Sequence, residues 1–279
     1  WIIEKRITIL GETGTPKQKV WGNEQILIRP YLHASETKHN AEAIELDIIF
    51  EDEQLIVINK PAGLVVHPGN GNWHGTLLNA LLHHAEQLNH IPRAGIVHRL
   101  DKETSGLLVV AKTIASQTSL VRQLQDHSVK REYLALVFGE VQADGDVNAP
   151  IGRHPTQRTK MAIIEKGKNA RTHYKILDEF EGCTLLQCNL ETGRTHQIRV
   201  HMHAIGHPLV GDPVYSGRPK KTNIEIMQLL MEFPRQALHA ERLALAHPKT
   251  QQPIQWETKL PEDMEALLLT LRQTSLQKG

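Results

Sequence analysis

One aspartate in this chain stands where a carboxylate could do chemistry. Asp101 lies between Arg99 and Lys102 and is followed by an apolar run, 107–111. The run predicts a buried strand, which places the carboxylate in the turn before it. Nearby cations favour the ionised form of a carboxylate and orient it. A surface turn without any catalytic role could have the same composition. The other motifs of the sequence must therefore distinguish a reactive carboxylate from such a turn.

A second polar motif occupies residues 193–203. Thr195 is a candidate N-cap for a helix over 195–205, which puts Arg194 at the helix entrance. A cation there opposes the helix dipole and calls for an anionic partner, either a carboxylate or a phosphate. We predict that Arg194 pairs with Asp101. The alternative is a surface arginine on a tight turn.

Tyr133 opens a predicted strand over 133–138. A tyrosine in this position can be a core residue with a satisfied hydroxyl, or a surface on which a base stacks. Aromatic residues make up only 4% of the chain, which argues against a broad stacking platform for RNA. One aromatic side chain against one extruded base remains compatible with this composition.

The histidine-rich segment does not have the spacing of a metal site. Its members are His196, His201, His203 and His207. The last two are four residues apart, but Gly206 and Pro208 interrupt the helix that would bring them together. No HExxH motif occurs. We therefore predict no metal and no cofactor, and assign these histidines to capping, core or RNA contacts.

Other features of the sequence indicate a cytoplasmic protein. The two cysteines, Cys183 and Cys188, have neither disulfide-framework nor zinc spacing, which suits a reducing compartment. No apolar run is long enough to cross a membrane, and no signal peptide is visible. Because the first residue is Trp1 rather than Met, we expect the natural chain to begin earlier.

Charge is distributed unevenly although the net charge is only +1. Residues 36–53 carry seven acids and one base. Residues 150–175 carry seven bases against Glu165 alone: Arg153, Arg158, Lys160, Lys166, Lys168, Arg171 and Lys175. Such a segment is typical of a surface that binds a polyanion. A solvated loop would have a similar composition.

The periodicity of apolar residues predicts an α+β fold. Helices are expected over 75–84, 114–124, 195–205 and 262–273, and strands over 7–10, 25–28, 55–59, 107–111, 133–138, 171–178 and 184–190. Strands outnumber helices and are often joined by short turns. This favours a mixed, mainly antiparallel sheet flanked by helices over a doubly wound parallel sheet. The polar stretch 34–45 is a candidate linker between 1–33 and a domain over 46–279.

Taken together, the motifs resemble those of the RluA-type pseudouridine synthases. The matching pieces are 51–52, 59–63, 66–69, 98–106, 131–133, 191–201, 208–212 and 236–240. They cover roughly residues 46–272, and their joint presence is highly specific. Residues 1–33 resemble the last part of an S4 RNA-binding module.

The resemblance implies the pseudouridine synthase fold and a cofactor-free isomerisation of uridine in large-subunit (23S) ribosomal RNA. It implies that Asp101 is the nucleophile or base, with Arg194 and Tyr133 as catalytic partners. The RNA or the base would be contacted by His98, Arg99, Arg153, Arg158, Lys160 and Arg199. Attack on the sugar, attack on the base and elimination are all compatible with these residues.

The expected partner is large-subunit ribosomal RNA, free or in a pre-50S particle, bound by a monomer without metal or membrane. Two other functions are compatible with parts of the sequence. One is a non-catalytic RNA-binding module for ribosome assembly, which would not require Asp101, Arg194 and Tyr133 together. The other is a glycosylase, which would release free uracil.

Overall fold

The computed structural model describes residues 2, 5–28, 40–69, 72–157, 159–218 and 222–276. The chain divides into two units, Trp1–Asn40 and Ala41–Gly279. This division falls within 34–45, the stretch that we predict to be a linker, although residues 34–39 of that stretch lie outside the described ranges.

The N-terminal unit contains a small antiparallel sheet. Its strands are β1 (Ile7–Ile9), β2 (Glu12–Thr13) and β3 (Ile26–Ile28), in the order β2-β1-β3. The two strands predicted at 7–10 and 25–28 are present but shorter. The side chains of β3 are exposed. The likeness of 1–33 to an S4 module stays a prediction, and residues 29–33 are not described.

A nine-stranded sheet forms the centre of the second unit. Its strands are β4 (Ile48–Glu51), β5 (Leu55–Lys60), β6 (Ser105–Ala111), β7 (Lys130–Phe138), β8 (Gly145–Asn148), β11 (Arg171–Phe180), β12 (Cys183–Leu190), β13 (Leu238–Ala246) and β14 (Pro253–Glu257). The order is β4-β5-β6-β13-β7-β12-β11-β8, and β14 pairs with β13. Among the strand pairs described, β6–β13 is parallel and the rest of this sheet is antiparallel. The predicted mixed, mainly antiparallel sheet is thus confirmed.

Helices cover both faces of this sheet. They are α1 (Leu77–His84), α2 (Ile114–Gln125), α3 (Gln197–Ala204), α4 (Ile224–Glu232) and α5 (Glu262–Leu276), with two short 3₁₀ segments, Glu86–His90 and Pro92–Gly95. The buried residues of α1 and α3 contact one face, and those of α2, α4 and α5 contact the other. No described helix is long and apolar enough to cross a bilayer.

Alternation along β7 decides which side chains reach the α1–α3 face. Tyr133, Ala135 and Val137 belong to the apolar cluster with α1 and α3, whereas Leu134 and Leu136 belong to the cluster on the other face. Successive side chains of a strand point to opposite faces. The strand register therefore places Tyr133, and Arg131 two residues earlier, on the same face as α3.

A separate hairpin carries part of the basic segment. Strands β9 (Ile151–Arg153) and β10 (Met161–Ile163) pair antiparallel, with Arg153 opposite Met161. Gly152 and Pro155 are residue types typical of a turn, but β9 extends through Arg153 and the chain bends only at 155–156. The intervening loop carries Lys160, whereas Lys166 and Lys168 follow β10, and Arg171 and Lys175 lie on β11.

Candidate active site

Asp101 lies in the turn that leads into β6, whose seven residues are all buried. Its backbone carbonyl accepts a hydrogen bond from the Thr104 N–H at 3.0 Å, which closes the turn. Its side chain is 14% exposed. The carboxylate is therefore fixed at the edge of the core with one side open.

The cation that holds Asp101 is Arg199 on α3. Nη1 of Arg199 donates to Oδ2 of Asp101 at 2.9 Å, while Nε and Nη2 donate to the two carboxylate oxygens of Asp212 at 2.7 and 2.9 Å. The side chain of Arg199 is only 4% exposed. Burial alone would lower the pKa of Arg199, but Asp212 and Asp101 raise it above its ordinary value. One guanidinium thus joins two carboxylates in a buried row.

Asp212 is fixed from its other side by backbone groups. Its Oδ1 accepts the N–H groups of Val214 and Tyr215 at 2.8 and 3.0 Å. Burial would raise the pKa of Asp212, but the Arg199 guanidinium and these N–H groups lower it. Asp212 therefore stays ionised and sets the orientation of Arg199. It lies in one of the motifs of the sequence, but we predicted no role for it.

The predicted pairing of Arg194 with Asp101 is wrong. Nε of Arg194 donates to the carbonyl of Asn169 at 3.0 Å, and Arg199, predicted to contact RNA, takes the place of Arg194. The physical reason is a later start of α3. The sequence predicts Thr195 as N-cap, whereas the N-cap is His196, with a φ of 57° and no side-chain cap.

Gln197 explains where the helix begins. Its Oε1 accepts the Arg194 N–H at 3.0 Å and the Thr192 hydroxyl at 2.7 Å, and its amide donates to the Arg171 carbonyl at 3.0 Å. These bonds satisfy the turn before α3 without a capping hydroxyl. Arg199, the third helical residue, then projects towards Asp101.

Tyr133 lies in the middle of the sheet beside Asp101. Its strand neighbours are Cys188 on β12 and Ala240 on β13, and the residue is 5% exposed. Burial raises the pKa of Tyr133; Arg131 opposes this rise and the charge of Asp101 adds to it. The phenol therefore keeps its proton at neutral pH and is close enough to Asp101 to be affected by its charge.

His196 and Tyr215, which sequence reasoning did not single out as a pair, complete the surroundings of Asp101. Nε2 of His196 is 3.9 Å from Oδ2 of Asp101, and Nδ1 is 3.0 Å from the Tyr215 hydroxyl. Burial lowers the pKa of His196, against the opposing effect of Asp101. The Tyr215 ring also faces the Arg199 guanidinium at 5.2 Å.

Tyr215 connects this site to the β9–β10 hairpin. Its hydroxyl accepts the Met161 N–H at 2.8 Å and donates to the Met161 carbonyl at 3.2 Å. Arg153 on the hairpin is exposed and Lys160 is half-buried. These two predicted RNA contacts are remote from Asp101 in sequence, but one side chain links their hairpin to the site. Arg158 lies outside the described residues.

The other two predicted RNA contacts, His98 and Arg99, precede Asp101 in the chain. Arg99 is exposed. Nε2 of His98 accepts the Val109 N–H at 3.1 Å, and burial lowers the pKa of His98 to about 3. The His98 ring is therefore neutral and engaged with β6, and its contact with RNA remains untested.

Lys60, which no chemical argument singled out, secures the Asp101 turn. It is fully buried at the end of β5. Its ammonium donates to the carbonyls of Pro61, Leu64 and Lys102 at 2.6, 3.0 and 3.0 Å. The first two acceptors belong to the loop after β5 and the third to the turn of Asp101. Lys60 thus joins two of the sequence motifs.

Within the described part of the chain, no group of three or more His, Cys, Asp or Glu side chains could hold a metal ion. The histidine segment is engaged otherwise: His201, for instance, lies between the Thr172 hydroxyl and the Ala149 carbonyl at 2.9 and 3.0 Å. Burial raises the pKa of both Cys183 and Cys188 to about 12, so neither is a thiolate at neutral pH.

This arrangement suits carboxylate chemistry. An ionised carboxylate held by a buried arginine has a free oxygen for nucleophilic attack or proton abstraction. A protonated phenol beside it offers a flat surface and a hydrogen-bond donor.

Comparison with known proteins identifies the family. Residues 54–204 match the family profile for RNA pseudouridylate synthase. Relatives named "Ribosomal large subunit pseudouridine synthase D" are 59% identical in Nitrosomonas europaea (98% of this chain, 78% of the relative) and 52% identical in Pseudomonas aeruginosa (98% and 86%).

A solved structure supports the same assignment. Human RNA Pseudouridylate Synthase Domain Containing 4 is 27% identical, with a TM-score of 0.65, over 81% of this chain and 92% of that one. Both the fold and the sequence over nearly the whole chain lead to one conclusion: the chain belongs to the RNA pseudouridylate synthase family and is an isomerase.

Proposed function

We propose that this enzyme converts uridines of large-subunit (23S) ribosomal RNA to pseudouridine, with Asp101 as the reacting carboxylate. The observation that carries the proposal is the buried row Asp101–Arg199–Asp212 beside Tyr133. The relatives named for the ribosomal large subunit support the choice of RNA.

The reaction needs little besides a positioned carboxylate. The bond from C1′ of the ribose to N1 of uracil breaks, and a bond from C1′ to C5 forms. A proton leaves C5 and N1 gains one, so no atom or electron is lost or gained overall. Attack of Asp101 on C1′, its attack on the base, and proton abstraction that starts an elimination all require its ionised form. We propose that no metal or cofactor takes part.

Arg199 has the role that the sequence suggested for Arg194. Its planar guanidinium occupies one Asp101 oxygen and leaves the other free. Asp212 fixes the guanidinium plane by two further hydrogen bonds. A reactive group held by a second layer of contacts keeps its geometry when substrate enters.

The remaining predicted residues would bind the RNA. A target inside a stem-loop must leave its stack to reach Asp101. Tyr133 would contact the extruded uracil, and the exposed Arg99 would fill the gap left in the RNA. Arg153 and Lys160 would contact phosphates, which position RNA without reading its sequence. We further propose that a monomer in the cytoplasm binds free RNA or a pre-50S particle.

Substitution of Asp101 by Asn tests the proposal. Asp101→Asn keeps the shape but removes the nucleophilic charge, so isomerisation should fall to background while RNA affinity stays within several-fold. Pseudouridine mapping of large-subunit RNA, with and without the gene and with the variant, measures this directly. Asp126→Asn, at the exposed end of α2, is the matched control.

Three outcomes would contradict the proposal. Turnover by pure Asp101→Asn protein would remove Asp101 from the chemistry. Free uracil in a chromatogram of the wild-type reaction would indicate a glycosylase. RNA binding by the wild type without any pseudouridine would favour the non-catalytic assembly module.

A further inference from the structure

Arg131 on β7 is a buried cation that the site around Asp101 does not use. It is 7% exposed. Its Nη2 donates to the Glu191 carbonyl at 3.2 Å, and its Nε has no hydrogen-bond partner among the described residues. No carboxylate of the described chain forms an ion pair with it. Arginine is rarely buried unless it is paired, so this position requires an explanation.

A neighbouring cation, Arg194, makes the burial of Arg131 more costly. Burial lowers the pKa of Arg131; the Tyr133 phenol opposes this and Arg194 lowers the pKa further. Two guanidinium groups that interact in this way repel each other. Among the described residues, the Arg194 side chain donates to a neutral group, the Asn169 carbonyl. Removal of a charge from water costs several kcal/mol unless an opposite charge compensates for it.

Gly193 gives the Arg131 side chain its space. A Cβ at position 193 would lie 2.6 Å from Nη1 of Arg131. The glycine next to Arg194 is therefore what allows the Arg131 guanidinium to approach the Arg194 backbone. The space left by Gly193 lies next to two cations, Arg131 and Arg194. These are the features of an anion-binding site.

We propose that Arg131 and Arg194 together bind one phosphate of the substrate RNA, next to the uridine that reacts at Asp101. This inference rests on the proposed function. Arg131 and Tyr133 share one face of β7, so an anion at Arg131 lies beside the place of the extruded base. A phosphodiester supplies the negative charge that both arginines lack. A uracil carbonyl is neutral and could not compensate for them.

Removal of the phosphate charge tests this contact. A stem-loop RNA with one methylphosphonate beside the mapped uridine is compared with the unmodified RNA, in binding and single-turnover assays. With wild-type protein the neutral linkage should weaken binding roughly 10-fold, as expected for a lost charge-assisted hydrogen bond. With Arg131→Gln the unmodified RNA should already bind that weakly, and the methylphosphonate should cause almost no further loss.

A second variant covers the case in which Arg131→Gln fails to fold. Gly193→Ala adds only the methyl group that displaces Nη1, the end of a flexible side chain. It should show the same loss of affinity and the same insensitivity to methylphosphonate. Arg272→Gln removes an exposed arginine paired with Asp178 on the surface and should keep the wild-type response.

Equal losses on methylphosphonate substitution in the wild type, Arg131→Gln and Gly193→Ala would overturn the proposed phosphate contact. Pseudouridine formation by the wild type in the same assay would show that the proposed function nevertheless stands. Absence of product from the wild type with unmodified RNA would instead count against the proposed function.

Discussion

At the scale of single residues, Arg199 decides the geometry of the site. Asp101 and Asp212 are both carboxylates, and only the guanidinium between them makes their proximity favourable. Because the three hydrogen bonds of its guanidinium go to carboxylates, we expect each to be stronger than a neutral hydrogen bond. The chemistry at Asp101 therefore depends on a residue that need not touch the substrate.

Arg199→Lys should lose most activity. A lysine keeps the charge but cannot reproduce the fork on Asp212 together with the bond to Asp101. We expect single-turnover rates at saturating RNA to fall by about 100-fold or more, that is, by at least about 2.7 kcal/mol. Rapid chemical-quench measurements of pseudouridine formation give this single-turnover rate.

Arg242→Lys is the control, because the more exposed Arg242 also pairs with two carboxylates, those of Glu132 and Glu257. It should keep the wild-type rate. Arg194→Lys should affect RNA affinity more than the saturated rate. An equal loss of saturated rate in Arg194→Lys and Arg199→Lys would contradict the assignment of Arg199 as the partner of Asp101.

Lys60 makes the stability of the protein depend on pH. Its three carbonyl acceptors suit an ammonium group, but burial lowers the pKa of Lys60 to about 7, against the raising effects of Glu103 and Asp101. Between pH 7 and the ordinary value of 10.5, the unfolded chain then binds more protons than the folded one. The contribution of Lys60 to the free energy of unfolding should therefore rise with pH across this window.

Lys60→Met should remove this contribution. The variant should be less stable at every pH, since three carbonyls lose their donor, at roughly 1–3 kcal/mol for each one left unsatisfied. Its unfolding free energy should rise less steeply above pH 7 than that of the wild type, measured by urea denaturation. Lys249→Met, on an exposed side chain, is the control; equal slopes in all three proteins would argue against a lowered pKa.

At the scale of elements, most of the helices and strands around the site could be predicted from the sequence. The strands 55–59 and 133–138 are recognisable as short continuous apolar runs, and the helix 114–124 by apolar residues at helical spacing. The start of α3 does not follow from such a pattern, because the Gln197 side chain, bonded to Thr192, Arg194 and the distant Arg171 carbonyl, replaces the capping hydroxyl. The start of the helix determines which arginine faces Asp101. The wrong N-cap prediction therefore led to the wrong prediction of the arginine that pairs with Asp101.

The link between the β9–β10 hairpin and the site could not be predicted either. Nothing in the spacing of Met161 and Tyr215 indicates that a hydroxyl joins them. Such contacts depend on how two elements meet in space, and the local sequence does not record this. The Arg131 guanidinium could not be singled out for the same reason, because its lack of an anionic partner among the described residues is visible only in three dimensions.

Tyr215→Phe tests whether the hairpin depends on this hydroxyl. The variant keeps the aromatic ring near Arg199 but removes the hydroxyl that hydrogen-bonds to the N–H and the carbonyl of Met161. The hairpin should then be less firmly held, so KM for RNA should rise several-fold while the saturated rate falls by less than about threefold. Steady-state and single-turnover kinetics separate the two effects. A lowered saturated rate with unchanged KM would place the role of Tyr215 at Asp101 instead.

At the scale of the whole molecule, the net charge of +1 hides a local surplus of cations. Arg99 lies two residues before Asp101, Arg131 interacts with Tyr133 and Arg194, and the hairpin adds Arg153 and Lys160. Counterion release from RNA depends on such local contacts rather than on the total charge. A protein that is nearly neutral overall can therefore still bind RNA with a strong dependence on salt.

Neutralisation of the cations on the hairpin tests whether these residues bind RNA without taking part in the chemistry at Asp101. Arg153→Gln with Lys160→Gln, alone and with Arg158→Gln added, should weaken binding of a large-subunit RNA stem-loop. It should also flatten the log–log salt dependence by roughly 0.7 to 0.9 per lost phosphate contact. The saturated single-turnover rate should stay near that of the wild type, because Asp101, Arg199 and Tyr133 are untouched.

Arg122→Gln, on α2 outside the hairpin, is the control. An unchanged binding isotherm across the salt series would mean that the hairpin is only a solvated loop, and that the RNA is guided by another surface.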